Sequence, residues 1–282
     1  STPNEVAIHA VAETLKAQGC TVTISGEGAD ELFGGYAGPM TTATLYQRQR
    51  INNPGAAHIH AGEFELENVS WVGRQLKPHI MSEHTWDRLE DDAFLRTLYR
   101  TQFERLQLEA GATDDAPIDN HLAAHLKFQR AINLAGLLQR LDTATMLASV
   151  EGRTPFADAH LATHAEQTPL SYRFQHEHVA AEIDPAMHDS TQEIAPVHTK
   201  AILRSAFQHR LPHTVLSRKK ASFPLPFQTW AAPLVGVTQS SSFLREHCSE
   251  AALATINAEP TQAWNISWPL INLALWADRW WR

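Results

Sequence analysis

The twelve residues Ser25-Gly26-Glu27-Gly28-Ala29-Asp30-Glu31-Leu32-Phe33-Gly34-Gly35-Tyr36 constrain this chain more than any other stretch. They follow directly on the β-type run Val22-Thr23-Ile24. A strand that breaks into a glycine-rich acidic loop and then a helix is how α/β folds present backbone amides to a ligand. Upstream, Pro3 to Gln18 reads as a helix. Thr2 serves as N-cap, Pro3 suits the first helical position, and Glu5 completes a capping box. Val6, Ala10, Val11 and Leu15 form its expected apolar stripe, and Gly19 stops it. Helix, strand, glycine loop and helix make the back half of a parallel α/β unit. A parallel strand needs a neighbour and cover on both faces. The sequence offers no convincing second strand downstream. The expectation is therefore an α/β fold with an incomplete parallel sheet, completed by another chain or by a front half that precedes these residues.

Beyond the loop the chain reads as mostly helical. Residues 37–69 look irregular, with a turn at Asn53-Pro54-Gly55. From Ser82 onward, Trp86, Leu89, Phe94, Leu95 and Leu98 recur at helical spacing, and His121 to Val150 is a long helical stretch. Residues 189–196 read as a linker into a helix from Lys200 to His209, and the prolines around Arg218 to Phe227 indicate a loop. The tail carries Trp264, Trp268, Trp276, Trp280 and Trp281, which implies core packing or a protein contact.

The net charge of -8 over 282 residues argues against a general nucleic-acid binder but not against ATP, which needs only a local basic cluster. Neither a signal peptide nor an apolar run of bilayer length is found. Cys20 and Cys248 are isolated and suit a reducing compartment, so a cytoplasmic location is expected. His58-Ile59-His60 is the tightest pair among sixteen histidines, yet it lacks a Cys or Glu at ligand spacing and reads as surface rather than zinc.

Three clusters carry the candidate chemistry. In the first, Gly26 and Gly28 admit a ligand to the backbone and Ser25 can donate to it. Glu27 and Asp30 beside a phosphate make sense with Mg²⁺ between them; the alternative is a solvated turn whose helix start favours acids. The second runs from Arg140 through Asp142, Met146, Glu151 and Arg153 to Pro155-Phe156 and Asp158. There Arg140 with Asp142, and Glu151 with Arg153, could be structural ion pairs. The third is Lys200-Ala-Ile-Leu203-Arg204 followed by Arg218-Lys219-Lys220-Ala-Ser222-Phe223-Pro224. A lysine there could steady charge developing on a leaving phosphate, or be a solvated basic turn.

In this order the three clusters resemble the synthetase domain of glutamine-dependent asparagine synthetases. The resemblance covers essentially all of residues 1–282, and the first motif agrees over twelve consecutive positions. It implies the C-terminal part of an adenine nucleotide alpha hydrolase-like domain of the PP-loop ATP pyrophosphatase type. The implied reaction is ATP-dependent: a carboxylate, aspartate in the family, is adenylated with release of pyrophosphate, and ammonia derived from glutamine displaces AMP. By resemblance Ser25, Gly26 and Gly28 bind the nucleotide, Glu27 is the acid/base near the amine, and Asp30 binds Mg²⁺ and pyrophosphate. Lys220 stabilises the adenylation transition state, and Glu151 and Arg153 shape the site, with Lys200 and Arg204 as further matches. The glutaminase domain and the family's Ser-Gly-Gly-x-Asp-Ser loop are not found in this sequence. It is therefore read as a C-terminal fragment, from a truncated or split gene or a partial sequence, expected to be inactive alone, and a separate chain carrying the missing N-terminal part is one candidate partner. Alternatives are an amidotransferase or cyclase acting on another carboxylate, and a non-catalytic subunit or remnant.

Overall fold

The structure is a computed structural model that describes residues 4–176, 198–218 and 225–281. Thr2 and Pro3, the 189–196 linker, and Lys219 to Pro224 lie outside the described residues. The chain divides into two units, one of Glu5–Ala61 with Thr101–Ala221, the other mainly Gly62–Arg100 with Ser222–Arg282.

The first unit holds the motif loop. Helix α1 (Asn4–Ala17) leads to strand β1 (Val22–Ile24), and short helix α2 (Ala29–Phe33) precedes α3 (Ala37–Asn52). The long α4 (Ile118–Leu147) runs into strand β2 (Glu151–Arg153), followed by α5 (Ala159–Gln167), α6 (Leu170–Arg173) and α7 (Ala201–Phe207). Here a second strand does exist. β2 pairs parallel to β1 in the register Val22–Glu151, Thr23–Gly152, Ile24–Arg153. Reading the sequence alone misses it because Glu-Gly-Arg carries no β-branched or aromatic residue. Gly152 is what lets it lie there: a Cβ would come within 3.1 Å of Thr145 Oγ1 and 3.2 Å of Leu141 Cγ on α4. One face of the pair thus packs on α4. On the other, Ile24 is 75% and Val22 43% exposed.

Two further expectations need correction. The stripe on α1 is not buried: Val6, Ala10 and Val11 are exposed, and Ala12 alone is buried. Polar contacts hold α1 instead, with His9 Nδ1 donating to the Ala144 carbonyl at 3.1 Å and Lys16 Nζ to that of Ser149 at 3.1 Å. Residues 37–69, read as irregular, contain α3 and the helix Ala61–Val69, separated by the expected turn after Asn53. The buried face of α3 is Met40, Ala43, Thr44 and Gln47, at helical spacing but half polar, so hydropathy does not reveal it. Its polar members are satisfied: Thr44 Oγ1 donates to the Met40 carbonyl at 2.8 Å, and Gln47 shares a 2.8 Å hydrogen bond with the fully buried His125 of α4. Phe103 sits in the same core, its ring 4.8 Å from that of His125 and 5.4 Å from that of Phe128.

The second unit is helical. Ser82 caps Glu83–Leu89 by accepting from the Thr85 amide. Ser267, Leu270, Ile271, Ala274 and Ala277 form the buried stripe of Trp264–Trp280. Leu270 and Ala274 pack with Leu244, Leu253 and Ile256. The tail tryptophans divide: Trp264 meets Trp71 and Trp268 meets Trp230, whereas Trp276, Trp280 and Trp281 are exposed. Among the described residues no helix is long and apolar enough to cross a membrane.

Candidate active site

The strand β1 ends where the Ser25 amide donates to the Arg153 carbonyl at 2.8 Å, so the pairing fixes the start of the loop. The Glu27 amide lies 3.4 Å from Ser25 Oγ. Gly26 is exposed, with open space where a side chain would be. Gly28 is the reverse. Its φ is 97°, and a Cβ would come within 2.8 Å of the Phe156 carbonyl oxygen, so its lack of a side chain serves close packing of the loop on the Pro155–Ala157 turn.

The rest of the motif is largely internal architecture. Leu32 and Phe33 are buried against Phe156, Leu161, Ala165, Ile202 and Leu203, worth about 1.5–3 kcal/mol each by transfer. Gly34 closes α2 in the left-handed region at φ 63°. Glu31 is 2% exposed and accepts a 2.5 Å hydrogen bond from the Tyr36 hydroxyl. Burial first, then that bond and the charges of Glu31, Asp30 and Glu27, push the Tyr36 hydroxyl far above the usual tyrosine range.

Two acids point outward from this scaffold, and each meets a cation. Glu27 Oε1 accepts from Arg140 Nη2 of α4 at 3.2 Å. Arg140, matched with Asp142 in the sequence reading, therefore reaches across 113 positions to the loop, while Asp142 is exposed. Asp30 Oδ1 lies 2.8 Å from Lys200 Nζ. Lys200 holds a left-handed φ of 54°, and its amide donates to the Phe33 carbonyl at 3.1 Å, which anchors the start of α7 to the end of α2. Gly35 makes room for the pair, since a Cβ there would overlap the Asp30 carboxylate and Lys200 Cε.

Asp30, Gly35 and Lys200 line a cavity of about 670 Å³. Leu203, Phe207, Leu211 and Val215 form its apolar wall, and Arg204 and Arg218 add two cations. Leu203, Arg204 and Phe207 meet there because α7 brings positions three and four apart onto one face, and Lys200 joins them from the residue before the helix. Arg204 donates from Nε to the Thr199 carbonyl at 2.9 Å. Among the described residues Asp30 is the one carboxylate in the lining, and no cluster of three or more His, Cys, Asp or Glu suits a metal. That donor set fits Mg²⁺ bound by one carboxylate plus ligand phosphate oxygens, and does not fit an all-protein metal cage.

The remaining candidates lie elsewhere. Glu151 and Arg153 occupy the open face of β2, bonded to each other at 3.0 and 3.2 Å. The hydrogen bond and charge of Arg153 hold the Glu151 carboxyl below its usual range. Neither lines the cavity. Lys220 is outside the described residues, two positions beyond the cavity-lining Arg218. His58 Nε2 bonds the Asn53 carbonyl and His60 pairs with Glu104 at 3.4 Å.

The asparagine synthase family profile matches residues 1–278. Asparagine synthetase [glutamine-hydrolyzing] 1 of Bacillus subtilis is 26% identical over 241 residues, 81% of this chain and 34% of that protein. Asparagine synthetase [glutamine-hydrolyzing] 3 of the same organism is 25% identical over 204 residues, 72% and 26% of the two chains. A putative asparagine synthetase of Mycobacterium tuberculosis is 24% identical over 233 residues, 74% and 30% of the two. The chain thus spans between about a quarter and a third of the length of these relatives. With a family match over residues 1–278, nearly the whole chain, the chain belongs to the asparagine synthase family.

Proposed function

We propose that this chain contributes part of the ligase site of an ATP-dependent amide-forming enzyme of the asparagine synthetase type. A carboxylate, aspartate in the first instance, attacks the α-phosphorus of ATP to give an acyl-adenylate and pyrophosphate. Ammonia from glutamine then attacks the acyl carbon, and AMP leaves with the C–O bond that breaks. The observation that carries the reading is the Asp30–Lys200 pair in the lining of a cavity with two more cations.

Within that reading, Lys200, Arg204 and Arg218 offset the charge of the leaving pyrophosphate, and Lys220 joins them. Ser25 and the open backbone at Gly26 lie against the nucleotide, while Gly28 holds the loop's shape. Arg140 orients Glu27 through Oε1, which leaves Oε2 to take the proton shed by the attacking ammonia. Mg²⁺, bound to Asp30 and phosphate oxygens, would supply charge neutralisation. Glu151 and Arg153 act on the open face of the sheet, where Arg153 orients a substrate or the segment that covers it.

The test is ATP–pyrophosphate exchange with aspartate and Mg²⁺, on the chain alone and mixed with a front half bearing the Ser-Gly-Gly-x-Asp-Ser loop. Exchange is expected only in the mixture and is expected to vanish in Lys220→Ala. No exchange from folded, associated parts with any of a panel of carboxylates would sink the ligase reading. Exchange with another acid but not aspartate would replace the acceptor.

A further inference from the structure

A second cavity, of about 500 Å³, lies in the same unit and shares no lining residue with the first among the described residues. Glu109, Asp119, Lys127, Glu166 and Arg173 are its charged lining. All but one of these are paired. Glu166 takes Lys127 at 3.3 Å and also Arg130. Glu109 accepts from Arg105 at 2.7 Å, and Asp119 lies 2.7 Å from His176 Nε2. Arg173, at the end of α6, is the exception. It is 6% exposed, and its Nε is buried without a hydrogen-bond partner among the described residues. Burial lowers the guanidinium pKa, opposed by the charge of Glu166. A buried cation without a carboxylate in bonding reach costs several kcal/mol, so its place on a cavity wall needs a reason.

We propose that this cavity binds a small α-amino acid, with its carboxylate on the Arg173 guanidinium and its ammonium toward Glu109 and Asp119 at the rim. The planar fork of arginine matches a carboxylate with two parallel hydrogen bonds. Charge selects a zwitterion over a plain anion. Glu109 and Asp119 offer carboxylate oxygens to an ammonium, a contact that phosphate and acetate cannot make. Glu109 and Asp119 are 44% and 46% exposed, open enough to accept a further donor. The site also lies directly behind the ligase loop. Arg173 precedes Phe174, which bridges to Thr199 beside Lys200, and a Cβ on Gly34 would come within 3.0 Å of Phe174. Occupancy can therefore reach Asp30 through two adjoining residues.

Titration calorimetry of the 282-residue chain with glycine, alanine, aspartate, glutamine and lysine tests this, with acetate, phosphate and methylamine as partial ligands. At least one amino acid is expected to bind, about tenfold or more tighter than any partial ligand. Arg173→Gln, and Ala123→Met which fills the cavity without touching the arginine, are each expected to weaken it by about tenfold or more. The melting temperature of Arg173→Gln without ligand should hold or rise, because a structural arginine would lower it. Ala123→Met decides alone if Arg173→Gln does not fold. Binding that survives in the folded variants, or that disappears in Asp30→Asn instead, belongs outside this cavity and overturns the proposal. So does the absence of binding by every amino acid at millimolar concentration, or phosphate or acetate binding as tightly.

Discussion

Gly28 and Gly35 stand seven residues apart in one motif and lack a side chain for different reasons. At Gly28 the obstacle is backbone, the Phe156 carbonyl, and φ is 97°. Neither can yield, so Gly28→Ala is expected to destabilise the unit by about 2–4 kcal/mol, from left-handed strain together with overpacking. At Gly35 the obstacles are side-chain ends, Asp30 and Lys200, which can swing away. Gly35→Ala should leave most of the stability intact while separating that ion pair; urea unfolding of both variants, with a double-mutant cycle on Asp30 and Lys200, distinguishes the two. A coupling of about 1 kcal/mol in the parent that falls to zero in Gly35→Ala is the expected outcome. Tyr36 gives a pH signature. Its hydroxyl pKa is raised in the folded state, so the protonated form stabilises the fold. That contribution is whole below the unfolded value of about 10 and is lost as pH rises beyond it. Tyr36→Phe should therefore flatten the alkaline limb of stability against pH. An unchanged limb would mean that burial and the neighbouring acids do not raise the Tyr36 hydroxyl.

At the scale of elements, the second unit depends on a buried acid. Glu63, 6% exposed, lies 2.8 Å from Arg96 and 2.6 Å from Arg100, where the helices Ala61–Val69 and Ala93–Glu109 meet. Gly62 beside it lets them close, since a Cβ would stand 2.5 Å from the Tyr99 carbonyl oxygen. Burial alone would raise the Glu63 pKa, but the two arginines hold it below the usual carboxylate range. The group thus stabilises the fold above its unfolded pKa, and the contribution disappears as pH falls through the folded value. Glu63→Gln leaves Arg96 with Asp91 and the part-exposed Arg100 facing a neutral amide, and should cost about 1–2 kcal/mol at neutral pH, with a shallower acid limb. Guanidinium unfolding between pH 3 and 7 checks both. These elements also mark what the sequence makes legible. The long α4 and β1 follow from periodicity and β-branching, and the loop from its glycines. The helix α3 hides because Thr44 and Gln47 are buried on their own hydrogen bonds, and β2 because pairing with β1 makes Glu-Gly-Arg a strand. Asp30 and Glu27 stand out in the sequence as candidates because they are acids in a glycine-rich loop. Their partners Lys200 and Arg140 lie 170 and 113 positions away, and only the fold brings them near.

For the whole molecule, the open face of the sheet is the feature that joins stability to function. Val22 and Ile24 lie in register with Glu151 and Arg153 on that face, and all four are exposed. Parallel strands are ordinarily covered on both faces. The chain spans about a third of the relative that it matches over 241 residues, so the proposed front half of the ligase domain is the natural cover. If so, these side chains contribute to association and little to the stability of this chain by itself. Val22→Thr with Ile24→Thr keeps β-branching and removes apolar surface, so the isolated chain should unfold within about 0.5 kcal/mol of the parent. In the mixture the same pair should weaken association about tenfold or more, as two buried aliphatic groups are lost, and pyrophosphate exchange should fall with it at limiting partner. Charge reversal at Arg153→Glu separates cover from catalysis. A loss that excess partner restores places Arg153 in the contact, whereas a loss that persists at saturation places it on the substrate. A double variant that unfolds far earlier on its own would show instead that this chain already covers the face, and that the front half docks elsewhere.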